Sequence, residues 1–237
     1  MFKELFALFR KENLLQQAFE RSQEMLRVDR EMFLAAIRSL RESDDARIDL
    51  DIYAKDQLIN AYEREVRRKV FTHLSVARDA NLNAGLVLVS VVIDIERIGD
   101  LTKNIVDLAL RHPGKLRCGV YEESIRTIET TVKTMFSLLL EALPTNDEAK
   151  AREVMSEHWW ISRRCDEINS ALITSEEQTL QCREAVTTAL YARFLKRTSA
   201  HLMNISSSLV NPFDRIGFRA DEPPKHRPEP TRRPVQP

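Results

Sequence analysis

No proline occurs before Pro113, and over the same stretch glycine appears only at Gly85 and Gly99. Proline inside a helix removes a donor and clashes with the preceding turn, and proline and glycine supply most of the turns a multi-stranded sheet needs. A stretch this long without them is free to form long helices and poorly equipped for anything else. Six of the nine prolines instead fall in the last fifteen residues. With 43% hydrophobic and 30% charged residues in 237, the chain has the apolar content for a real core and is not disordered throughout.

Apolar periodicity then divides the body. From Leu15, apolar or small residues recur at 18/19, 22, 25/26, 32/33, 36/37 and 40, which predicts a first long helix with a seam spaced near ~3.5 residues. After the polar break Glu42 to Asp45, a second periodic run goes from Ile48 through Ile59, Val66 and Val70 to Leu74; so short a linker predicts an antiparallel neighbour. Leu86 to Ile93 reads on propensity as a buried strand. Its continuation decides otherwise: Glu96, Asp100, Asn104 and Asp107 fall on or near one side, Ile95, Ile98, Leu101, Ile105 and Leu108 on another, with no breaker before His112-Pro113-Gly114. One helix from Leu82 to Arg111, about 45 Å long, is expected. Three more follow: Ile125 to Leu143, ended by Pro144; Val154 to Leu172; and Ala185 to Leu209, stopped by Asn211-Pro212. Helices of this length need partners along their whole length, so the expected fold is all-α, an elongated six-helix protein.

Charge and composition exclude several functions. Thirty-six Lys and Arg balance thirty-six Asp and Glu, leaving no global field for nucleic acid, so no nucleic-acid partner is expected. The longest nearly polar-free stretch, Ala84 to Ile93, is about half of the roughly 20 residues that cross a bilayer. Charges among the first dozen residues interrupt the apolar run of a signal peptide, which predicts a cytoplasmic protein. Phe2, Leu5, Phe6 and Phe9 nevertheless follow helical spacing beside Lys3, Arg10 and Lys11; such a segment suits either the end of a bundle or a membrane interface. Cys118, Cys165 and Cys182 are widely spaced with no CxxC, and read as reduced, packed thiols.

Catalytic patterns are missing. A ferritin-like di-iron bundle needs Glu three residues before His, and none of the five histidines has it. No phosphate loop, G-x-S-x-G elbow or H-E-x-x-H occurs. Cys165 with His158 is the one nucleophile and base pair to consider, two helical turns apart. The adjacent Trp159 and Trp160 read as one core and one interface aromatic. The chain is expected not to be an enzyme.

The most unusual string is Asp94-Ile95-Glu96-Arg97-Ile98-Gly99-Asp100. On a helix, Glu96 and Asp100 stand one turn apart, about 6 Å along the axis, and repel. Compensation can come from Arg97 or another arginine, from solvent, or from a cation that takes hard oxygen ligands. Gly99 costs a helix interior about 1 kcal/mol relative to alanine and suggests close approach by another helix or a ligand.

This string, followed by Asn104-Ile105, resembles the signature of PhoU proteins, regulators of bacterial phosphate uptake. Asp56, Asn60 and Glu63, ahead of the basic run Arg64 to Lys69, are similar to the polar stripe of that family's second helix. The resemblance covers about Phe2 to Pro212. It implies two repeated three-helix bundles, residues 1–115 and 116–212, followed by a Pro-rich segment, 213–237, flexible beyond Phe218. It implies a metal site in the first repeat holding iron or zinc, with Glu96 and Asp100 as ligands, Asp56 and Glu63 as further candidates, and Asn60 and Asn104 in support. A shift of 100 residues sets Lys196, Ser199 and Ala200 against Glu96, Gly99 and Asp100, and Ser156, Trp160 and Arg163 against Asp56, Asn60 and Glu63, so the second repeat is expected to hold no metal. The resemblance further implies a non-catalytic adaptor modulating a phosphate transporter component, a sensor histidine kinase or both, peripheral at the inner membrane, with self-association left open. The alternatives are a metal-binding or storage protein and a helical scaffold with no phosphate role.

Overall fold

The structure, a computed structural model, describes residues 14–76, 81–112, 114–174 and 179–219. Among these are six long helices and no strand: α1 (Leu14–Arg41), α2 (Ile52–Val76), α3 (Leu82–Arg111), α4 (Glu122–Thr145), α5 (Glu148–Ile173) and α6 (Cys182–Val210). Short 3-10 turns occupy Gly119–Tyr121 and Phe213–Arg215. The apolar run at Leu86 lies inside α3, as its amphipathic continuation requires. The amphipathic start at Phe2 to Phe9 and the proline-rich end beyond Arg219 lie outside the described residues.

Helices α1, α2 and α3 pack as one three-helix bundle and α4, α5 and α6 as a second. The seams meet in one continuous core. In the first bundle Met25, Leu26, Met32 and Phe33 of α1 pack with Ile59, Val66 and Val70 of α2 and Val87 to Ile105 of α3; in the second, Ile125 to Leu139 pack with Val154, Ile161, Cys165, Tyr191 and Leu202. The bundles join through α1 against α4 and α3 against α6, with the Phe33 and Phe136 rings 5.3 Å apart.

Polar groups fix that junction. Arg41, buried at the end of α1, reaches Glu122 at 2.7 Å and Glu129 at 2.9 Å, and also donates to the Leu116 carbonyl; the Tyr191 hydroxyl donates to the same Glu129 at 2.8 Å. On the other side, Asp94 accepts from Asn204 at 2.9 Å and meets His201 Nδ1 at 2.7 Å. The first residue of the signature string therefore joins the two bundles.

Some boundaries differ from the periodic reading. α2 begins at Ile52, not Ile48. α5 starts at Glu148 because the Asp147 carboxylate caps the Ala149 and Lys150 N–H groups, and α6 starts at Cys182 behind a capping box formed by Gln181 and Glu184. Pro144 lies inside the last turn of α4, which ends at Asn146 in a left-handed conformation, φ 52°. Beyond α6, Asn211 Nδ2 donates to the Arg215 and Phe218 carbonyls, holding the start of the segment after Pro212 against the bundle.

Candidate functional site

Three helices of the first bundle bring the site together. α3 carries Glu96 and Asp100 on one side, α2 supplies Asp56, Asn60 and Glu63, and α1 contributes Asp29. Gly99 allows the approach: a Cβ built there would lie 3.1 Å from Asp29 Oδ1, 3.2 Å from Ile59 Cδ1 and 3.9 Å from Asp56 Oδ1. The glycine thus lets α1 and α2 both bring a carboxylate close to the α3 backbone, and the close approach expected from its position is real.

Asp29 is the group that sequence reasoning missed. It is 0% exposed, and neither of its oxygens has a hydrogen-bond partner. Burial raises its carboxyl well above the ordinary range, and Glu96, Asp56 and Asp100 push in the same direction. Burial first and Asp100 second also raise Glu96. An unpaired carboxylate in such a place is expensive, and it must hold a proton or face a cation. Its signal in the sequence was a gap in the α1 seam, where an acid stands between Met25/Leu26 and Met32/Phe33.

The remaining acids have internal partners. Lys103 Nζ lies 2.9 Å from Asp56 Oδ2 and 3.0 Å from Asp100 Oδ1. Burial opposes its charge, but the hydrogen bonds it donates to Asp56 and Asp100 prevail and raise its pKa. Arg97 spans Glu96 at 3.6 Å and Asp100 at 3.2 Å, and Arg67 pairs with Glu63 at 2.7 Å. Asn60 donates to Asp56 at 3.3 Å. Asn104 is exposed and lines a shallow cleft with Tyr53, Asp100, Lys103 and Asp107. Asp56, Glu96 and Asp100 are thus neighbours around Asp29, Glu63 stands at the end of the group, and Asn104 lies outside it. Among the described residues no three His, Cys, Asp or Glu side chains are placed to share a metal ion; as placed, Asp56 and Asp100 meet on the Lys103 ammonium.

The second bundle is built differently at the matching positions. Lys196 pairs with Asp166 at 2.6 Å, and Ser199, at the position of Gly99, is 2.9 Å from His158 Nδ1. Burial, then Lys196 and Arg219, lower His158 to about 4. His158 thus meets Ser199, and burial pushes the Cys165 thiol up to about 12, so the pair does not form an activated nucleophile. Cys118 and Cys165 are buried, but Cys182 is exposed rather than packed. Trp159 and Trp160 are both half-buried; Trp160 packs on the core and Trp159 carries the Arg219 guanidinium 4.0 Å above its ring.

Comparison with known proteins agrees with this architecture. The chain superimposes on the crystal structure of PhoU from Pseudomonas aeruginosa with a TM-score of 0.74 at 20% identity, covering 83% of this chain and 95% of that one. It also superimposes on the phosphate transport system regulatory protein PhoU from Streptococcus pneumoniae, with a TM-score of 0.66 at 20% identity over 83% of this chain and 91% of that one. At this identity the likeness shows the fold. No match was found among curated proteins by sequence. The PhoU domain model matches twice, over residues 22–109 and 125–209, once on each three-helix bundle. The chain belongs to the PhoU domain family.

Proposed function

We propose that this chain is a non-catalytic regulator of phosphate homeostasis, which restrains a phosphate transporter, a phosphate-sensing histidine kinase, or both, from the cytoplasmic face of the inner membrane. The observation that carries this reading is the doubled PhoU domain, one copy on each bundle, on a fold shared with a protein described as a phosphate transport system regulator. No helix among the described residues is long and apolar enough to cross a membrane, so contact with a transporter would be made by helix faces. The mechanism is a shift in population between partner-bound and free forms, set by a ligand that favours one of them.

The acidic group of the first bundle is the place for such a ligand. Asp29 has the marks of a cation ligand, being buried, unpaired and packed against the bare backbone of Gly99 beside Asp56. Asp29, Asp56, Glu96 and Asp100 would hold the ion, with Glu63 at the edge. A donor set made of oxygens alone suits a hard cation and favours iron over zinc, which takes nitrogen and sulfur readily. The ion would supply positive charge that ties α1, α2 and α3 together.

Capture of the tagged chain from native membranes, with identification of the bound proteins, tests the partner assignment. Enrichment of a phosphate transporter component or a sensor kinase is expected. Recovery of neither, under conditions that preserve other membrane complexes, would contradict it.

A further inference from the structure

Lys103 approaches the acidic group from its solvent edge. Its side chain is 26% exposed, it lines the open cleft beside Tyr53 and Asp107, and its ammonium bridges Asp56 of α2 and Asp100 of α3. The head can therefore return to water along the cleft with no change in the helices. It makes no hydrogen bond with Asp29, whose two oxygens are without a partner. Asp29 Oδ1 and Asp56 Oδ1 lie beside Gly99 together with the Ile59 Cδ1 methyl, 3.1 Å, 3.9 Å and 3.2 Å from the point where a Cβ would stand. An ammonium on a side chain is tethered, singly charged and limited to three donors. A free divalent ion carries twice the charge and gathers six or more oxygens at about 2.0–2.6 Å.

We propose that Lys103 is a displaceable counter-ion of this site: its ammonium and a divalent cation compete for Asp56 and Asp100, and Asp29 is the buried ligand that only the cation gains. The inference rests on the cation reading above and adds a means of control to it. With no cation the lysine closes the site, holding α2 to α3 and leaving Asp29 unsatisfied. When a cation binds, the ammonium leaves for solvent and α1 is drawn into the same set of bonds. Exchange therefore exposes a positive charge at the mouth of the cleft as it ties down the first helix, and a partner touching that cleft would feel both changes.

The test is titration of chelator-stripped full-length chain with Mn²⁺, followed by calorimetry and by the loss of the free-ion electron paramagnetic resonance signal. Wild type is compared with Lys103→Met, which keeps the stem and removes the charge, with Lys103→Gln as the alternative if the first folds poorly, and with Asp29→Asn. Circular dichroism checks that each variant is helical. Lys103→Met is expected to bind Mn²⁺ at least tenfold more tightly than wild type, and Asp29→Asn at least tenfold more weakly. Equal or weaker binding by both lysine variants, with wild type still binding, would overturn the competition and leave the cation site standing. Undiminished binding by Asp29→Asn would overturn the role given to Asp29. If neither wild type nor the lysine variants take up Mn²⁺, the cation reading fails and the exchange fails with it.

Discussion

Two buried carboxylates in this protein have opposite surroundings. Glu129 is met by Arg41 at 2.9 Å and by the Tyr191 hydroxyl at 2.8 Å, whereas Asp29 is met by nothing. Removing the guanidinium leaves Glu129 buried without its charge partner, so Arg41→Met should destabilise the protein by about 3–5 kcal/mol, measured by urea unfolding. The reverse holds at Asp29. A carboxyl raised by burial favours unfolding as pH rises above its ordinary range, so in chelator at neutral pH Asp29→Asn should gain on the order of 1–3 kcal/mol; a loss would mean that the acid has a partner in solution. His158 gives a pH dependence. Its folded value, lowered to about 4 chiefly by burial, lies below the ordinary value of about 6.5. The unfolded chain therefore binds the proton first, and stability should fall by on the order of 3 kcal/mol between about pH 6.5 and pH 4. A His158→Gln variant should lack that part of the slope. Of these groups the sequence singles out only His158, as a partner for Cys165, and not for the burial that governs it. Each is a polar residue on an apolar seam, and periodicity records the seam without saying what an exception to it touches.

At the level of the helices, the sequence was most informative where the pattern was long. The bounds of α3, Leu82 to Arg111, follow from an amphipathic run that nothing interrupts. The starts of α5 and α6 lie ahead of their first periodic apolar residues because their first turns are polar: Glu148 to Lys150 of α5 and Cys182 to Glu184 of α6 present little apolar surface, and the capping by Asp147, Gln181 and Glu184 sets them instead. Pro144 reads in the sequence as a stop, yet it lies in the last turn, and the left-handed Asn146 ends the helix. Helix spacing in the first bundle depends on its two glycines. At Gly85 a Cβ would lie 2.9 Å from Leu74 Cδ1 and 3.1 Å from Val70 Cγ1, so α2 and α3 touch there almost backbone to side chain. Gly85→Val should cost about 1–3 kcal/mol by overpacking. Leu74→Ala should recover part of that cost in the double variant, a coupling visible in a double-mutant cycle; strict additivity would show that the two do not press on each other.

Across the whole molecule, one domain type occurs on both bundles, and only the first carries Glu96 and Asp100, where the second has Lys196 and Ala200. The carboxylate string was legible as a candidate site because Glu96 and Asp100 fall on one helix face. The third contributor, Asp29, lies 67 positions before Glu96 in the chain, and only packing brings it there. The joint between the bundles was likewise invisible, since Arg41 with Glu129 and Asp94 with His201 pair across 88 and 107 residues. If the chain restrains phosphate transport, its absence must show most clearly when phosphate is plentiful. The most direct measurement is radiolabelled phosphate uptake, with alkaline phosphatase activity alongside, in a strain lacking the gene and grown with excess phosphate. The account predicts that one or both rise several-fold and return to the parental level when the wild-type chain is restored. Uptake and phosphatase activity indistinguishable from the parent would contradict it.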